Sequence, residues 1–137
     1  MRAAPFVWPV RVYWEDTDAG GVVYYANYLK FLERARSEWL RSRAWEQDRL
    51  REEQGVVFVV RRAEIDYLAP ARYNDQIEVC CTLVELGHAR LVVAQAVERS
   101  GEPLVRARVT LACVHAGRFK PVRIPFELSL SLSDSPP

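Results

Sequence analysis

One long helical pattern stands in a chain that otherwise reads as strands, and that imbalance decides what the chain can become. Over residues 24–45, Tyr28, Leu32, Ala35 and Trp39 fall on one stripe, flanked by Tyr25, Leu29, Phe31 and Leu40. The opposite face carries Lys30, Glu33, Arg34, Ser37, Glu38 and Arg41. So wide an apolar stripe predicts a helix packed on a sheet over most of its length. Before it, residues 6–14 read as a strand, with Pro9 pointing to an edge or an irregular start. After it, residues 46–55 are polar and read as a surface turn or short helix ending at Gly55. Four strand patterns follow: 56–68, 76–86, 90–98 and 104–115. Alternation puts Ala63, Ile65 and Tyr67 on one face of the first, and Ile77, Val79, Cys81 and Leu83 on one face of the second. Val105, Ala107, Val109, Leu111 and Cys113 share a face of the last. Short connections make the last three strands an antiparallel meander. A sheet with a single helix to cover it must wrap around that helix, so the expected class is α+β.

A chain of 137 residues makes one domain. That domain is placed at residues 1–125, and the Ser- and Pro-rich residues 126–137 are read as a flexible tail. No window approaches the roughly eighteen apolar residues of a membrane-spanning helix. The N-terminal apolar stretch is broken by Pro5 and Pro9 and followed by Arg11, so it reads as a lead-in to a strand and not as a signal peptide. The formal net charge of +1 argues against a general nucleic-acid binder. Cys80, Cys81 and Cys113 form neither a disulfide framework nor a zinc spacing. They read as reduced, buried thiols, which fits the cytoplasm.

The inventory of reactive groups is narrow. The two histidines, His88 and His115, stand in no metal-ligand spacing. There is no G-x-S-x-G elbow, no phosphate-binding G-x-x-x-x-G-K-[ST] loop and no G-x-G-x-x-G after a strand. Chemistry is left to carboxylates, tyrosines and backbone groups. These concentrate in EDTDAGGVVYYANY, residues 15–28, immediately before the helix. Helix capping accounts for one Asp or Thr there. It does not account for Gly20 and Gly21 standing between the acids and the helix. Adjacent glycines let a ligand approach the backbone closely. Free amides at a helix start can hold a developing oxyanion. An upstream carboxylate then supplies a base or nucleophile for acyl transfer without His or Ser.

The stretch VYWEDTDAGGVVYYANYLKFLERARSEWL resembles the hotdog-fold acyl-CoA thioesterases, in the 4-hydroxybenzoyl-CoA thioesterase-like branch that includes the Tol–Pal-associated thioesterase. The resemblance continues through VRRAEIDYLAPARYNDQIEV to KPVRIP at residues 120–125. Its specific part is D-x-D-x-x-G-x-V-x-[YFH], met here by Asp16, Asp18, Gly21, Val23 and Tyr25. The resemblance implies a five-stranded antiparallel sheet wrapped around one long central helix. It implies subunits pairing side by side, often as a dimer of dimers, an acyl-CoA substrate, and no metal or resident cofactor. Asp18 matches the catalytic carboxylate, acting as general base or as nucleophile. Tyr25 matches the position whose backbone N–H polarises the thioester carbonyl; some members have histidine there.

Gly20 and Gly21 are read as substrate-approach residues, with Asn27 and Tyr28 beside them. Asn27 either bonds within the active-site loop or orders the first helical turn, and the tyrosines are at core spacing as well. Asp16 is read as a loop-ordering or capping residue. Among the arginines, Arg62 and Arg90 are taken as contacts to the CoA phosphates. The alternatives are an acyl-binding module with weak activity, and a dehydratase. A dehydratase would want a histidine in the motif, and there is none.

Overall fold

The computed structural model describes residues 5–133. The elements are β1 (Phe6–Arg11), α1 (Tyr28–Ser42), α2 (Gln47–Arg49), β2 (Val56–Tyr67), β3 (Gln76–Leu86), β4 (Arg90–Arg99), β5 (Glu102–His115) and α3 (Phe126–Ser133). All five strands join one antiparallel sheet in the order β1-β3-β4-β5-β2. The meander β3-β4-β5 is its centre. β1 closes one edge, where Pro9 breaks no pairing that an inner strand would need. β2 forms the other edge.

The sheet curls around α1. Phe31, Leu32 and Ala35 of the helix are fully buried, packed with Ile77 and Val79 of β3 and with Val97, Leu104 and Val105 of the β4–β5 hairpin. Each large side chain so buried contributes roughly 2 kcal/mol. A second cluster fills the other end, where Trp39 and Leu40 meet Leu91, Val93, Val109, Leu111 and Cys113. The one buried polar side chain among the described residues is Gln95. Its Nε2 donates to the Leu32 carbonyl at 3.0 Å, and its Oε1 accepts from Arg36 at 3.0 Å.

The helix begins later than its sequence pattern. Tyr25–Asn27 form a 3₁₀ turn, and the regular helix starts at Tyr28. The polar linker folds as α2 running into a π turn, Leu50–Gln54, closed by Gly55 at φ 69°. The predicted apolar face of β2 is only partly covered. Ala63 and Tyr67 are exposed and Ile65 is half-buried, because β2 has a neighbour on one side only. The reading of residues 126–137 as a flexible tail is corrected over residues 126–133. These form α3, with Leu128 and Leu132 buried in the second core cluster and the Ser131 carbonyl accepting from Arg43 at 2.6 Å. Residues 134–137 lie outside the described part of the chain.

Candidate active site

The motif folds as a small hairpin leaning on the start of α1. Asp18 N–H donates to Val22 O at 2.9 Å, Thr17 bridges Val23, and Tyr24 N–H donates to Asp16 O at 2.9 Å. At the tip, Gly21 N–H donates back to Asp18 O at 3.0 Å. Gly21 has φ 80°, a conformation that side chains strain to adopt. Asp18 itself is exposed. Its Oδ1 accepts from Gly20 N–H at 2.8 Å, while no hydrogen bond within the described residues engages Oδ2. A methyl group on Gly20 would sit 3.2 Å from Oδ1, so the bare backbone keeps room around the carboxylate.

The two acids of the motif are held differently. Asp16 is turned inward: Oδ2 accepts from Tyr13 N–H and Oδ1 from Asn27 Nδ2, both at 2.8 Å. The Asn27 amide therefore binds the loop and does not cap the helix. Tyr25 opens the 3₁₀ turn, a position whose N–H has no partner within the turn. It follows Tyr24, the partner of Asp16 on the hairpin, two steps from Asp18. Tyr25 is therefore three strand steps, roughly 10 Å, along the hairpin from the Asp18–Val22 pair.

Tyr28 is a core residue. It is 3 % exposed, its hydroxyl accepts from Ala71 N–H at 3.0 Å, and burial pushes its phenol pKa up. That hydroxyl supports the site from behind. Gly20 and Gly21 lie at the hairpin tip with Asp18. Arg62 and Arg90 do not join them within the chain. Loop 68–75, which holds Val23 through Ala71, adjoins the Arg99 end of β4; Arg90 stands at the opposite end, and β4 is 10 residues, roughly 30 Å, long. Arg62 sits mid-strand on β2, opposite Thr110. Both are ion-paired on the surface, Arg62 to Glu64 at 3.3 Å and Arg90 to Glu85 at 3.6 Å. Alternation identified them as strand cations and carried no information about which end of the sheet they occupy.

Tyr67 belongs to the site although its sequence position does not announce it. Its hydroxyl donates to Tyr25 O at 3.1 Å, and its ring packs edge-on to Tyr25 and tilted against Tyr28. Only the pairing that brings the end of β2 over the start of α1 reveals it. Beside the hairpin, Trp14 stacks on Tyr73 at 3.8 Å along a groove of about 380 Å³. Among the described residues no cluster of His, Cys, Asp and Glu is able to hold a metal ion. No helix there is long and apolar enough to cross a membrane.

Asp18, Gly20 and Gly21 thus sit on a hairpin that leads into the start of α1, the helix around which the sheet curls. Residues 12–132 match the model of the thioesterase-like superfamily. The chain belongs to that superfamily. Among its members, the chain is 46% identical over 123 residues to the acyl-CoA thioesterase YbgC of Haemophilus influenzae, with 90% of each covered. It is 43% identical over 126 residues to the acyl-CoA thioester hydrolase YbgC of Escherichia coli, covering 91% of this chain and 93% of that one. The crystal structure of a probable thioesterase from Bartonella henselae superposes with a TM-score of 0.86 at 36% identity, covering 89% of this chain and 100% of that one. The wrapped sheet is thus the hotdog fold of the thioesterase-like superfamily, and the superfamily match runs through α3 almost to its end.

Proposed function

We propose that this protein is a thioester hydrolase acting on acyl-CoA, giving a free carboxylic acid and CoA. The observation that carries the reading is the Asp18 carboxylate, anchored by Gly20 through one oxygen and open at the other among the described residues, on the hairpin that leads into the Tyr25 amide. As general base, Asp18 takes a proton from water while the water oxygen bonds to the thioester carbon. The carbonyl oxygen becomes an oxyanion that accepts from Tyr25 N–H. Collapse of the tetrahedral intermediate breaks the C–S bond, and the CoA thiolate takes up the proton. As nucleophile, Asp18 instead forms an anhydride with loss of thiolate, and water then hydrolyses it. The two YbgC relatives, named as an acyl-CoA thioesterase and an acyl-CoA thioester hydrolase, support the same reaction class.

Two features support action as a homo-oligomer, a dimer or a dimer of dimers. Asp18 is exposed in the single chain, so the water-excluding wall of the site must come from elsewhere. β2 offers 12 residues of unpaired backbone edge and a half-exposed Val60, a natural seam for pairing with a second copy. For the CoA phosphates, Arg118, Lys120 and Arg123 are chemically freer than Arg62 and Arg90, and, standing at the Arg90 end of the sheet, they would serve the site of a partner subunit. They are exposed, and among the described residues none of them is ion-paired. The reduced state of the three thiols supports placement in the cytoplasm. The test is CoA release from a panel of short aliphatic, long aliphatic and aromatic acyl-CoA thioesters, followed with a thiol reagent. Turnover of at least one is expected; a folded oligomer that releases CoA from none of them overturns the reading.

A further inference from the structure

Loop 68–75 carries no group that reacts, yet one set of its contacts leads toward the site. Its Asp75 carboxylate is gripped from outside by Arg99, at the end of β4, with Nη1 2.6 Å from Oδ2. Arg99 also donates to Glu102 Oε1 at 3.0 Å, which fixes its guanidinium to the hairpin it stands on, and to Pro70 O of the loop at 3.3 Å. The same Asp75 oxygen accepts from Arg72 N–H at 2.8 Å, closing the turn that displays Ala71. Ala71 then faces two ways. Its N–H donates to the Tyr28 hydroxyl at the start of α1, and its carbonyl accepts from Val23 N–H at 2.8 Å. Arg72 bridges Val22, and Val22 O receives the Asp18 N–H. One unbroken series of bonds therefore runs from the β4–β5 hairpin to Asp18, and a branch of it runs to the helix start beside Tyr25.

We propose that the Asp75–Arg99 pair is a positioning device that sets the separation between the Asp18 carboxylate and the Tyr25 amide. The role rests on the thioesterase reading given above. The pair touches no substrate. It acts by holding Ala71 at one height against both Tyr28 and Val23, so that the hairpin and the helix start are spaced for the transition state. A misplacement of about 1 Å at a reacting group can lower a rate by up to roughly 100-fold, which makes such a spacer consequential.

The test is Asp75→Asn, which keeps an oxygen for the Arg72 N–H and removes the charge that holds Arg99. Expected are a kcat lowered roughly tenfold with KM within about threefold, the split that marks a lost transition-state geometry. In parallel, hydrogen exchange of the Val23 and Asp18 amides should quicken by about tenfold or more, while that of the Ala35 amide in mid-α1 stays unchanged. Arg99→Lys, which keeps the cation opposite Asp75, should retain much of the parental kcat and protection. Arg99→Gln reads the same link from the hairpin side if Asp75→Asn does not fold. An unchanged kcat, a lowered kcat with Val23 and Asp18 protection intact, or faster exchange throughout α1 and the sheet would each overturn the proposal. Should Asp18→Asn itself turn over normally, the catalytic reading falls, while the exchange measurement still decides whether the pair controls the hairpin.

Discussion

Asp16 and Asn27 stand 11 residues apart and are joined by a 2.8 Å hydrogen bond from Asn27 Nδ2 to Asp16 Oδ1. That bond ties the entry of the hairpin to the start of α1. It uses up the first acid of the motif as a structural clasp and leaves the second, Asp18, at the tip. Two carboxylates with nearly identical sequence surroundings are separated by what their oxygens already hold.

Asp18→Asn is expected to lower kcat by roughly 10²–10⁴ while leaving the melting temperature near that of the parent, because it removes a proton acceptor and keeps the shape. Glu15→Gln, an exposed neighbour, is the matched control and should change little. The comparison is made on the best thioester of the panel. A folded Asp18→Asn protein with near-parental turnover removes Asp18 from the chemistry.

Asn27→Ala breaks the clasp from one side and should destabilise by about 1 kcal/mol. Asp16→Ala strands two donors, Tyr13 N–H and Asn27 Nδ2, and should cost about twice as much. Urea unfolding measures both. Equal losses would mean that the Tyr13 bond contributes nothing.

Burial holds the Cys81 thiol near a pKa of about 12 and Cys113 near about 11, against an ordinary value of 9.0. An unfolded chain loses these protons first, so stability should be flat below pH ~9 and fall as pH rises from there toward the folded-state values. The slope is at most about 1.4 kcal/mol per pH unit for each thiol. Replacing both with Ala should flatten this alkaline fall and leave turnover largely intact. Urea midpoints measured between pH 8 and 11 decide it, and an unchanged slope in the double variant counts against the thiols as its source.

Gln95→Leu should destabilise by about 1–3 kcal/mol, because Arg36 loses the Gln95 Oε1 acceptor that joins helix to sheet. Pairing it with Arg36→Met should recover part of that loss. Strictly additive losses in the double variant would show that the two side chains do not depend on one another.

Val60→Asp places a charge on the half-exposed edge of β2. It should shift the protein toward monomer and lower its activity. Light scattering with a parallel turnover assay reads both, and an unchanged oligomer moves the seam away from β2.

The strands were legible because burial alternates along them as hydrophobicity does; Ile77, Val79 and Cys81, and Val105, Val109 and Cys113, all point into the core. The loop before the helix stood out as a candidate site because two glycines beside two acids exceed what capping needs. The last helix was not, since FELSLSLS alternates with the period of a strand. It folds as a helix because Leu128 and Leu132, one turn apart, find an open hydrophobic cluster to enter. Long-range placement was also hidden. No local pattern tells that Tyr67 sits over Tyr25, or that Arg90 lies a strand's length from loop 68–75.

α3 acts as a stopper in the end of the barrel-like wrap, with Leu128 and Leu132 set against Cys113 and Ile124. Clipping the chain after Pro125 would uncork that end and bare oily surface to water. A protease that reached the segment ahead of Phe126 would thus strike at solubility before it touched Asp18, and any fused peptide is safest attached beyond Ser133.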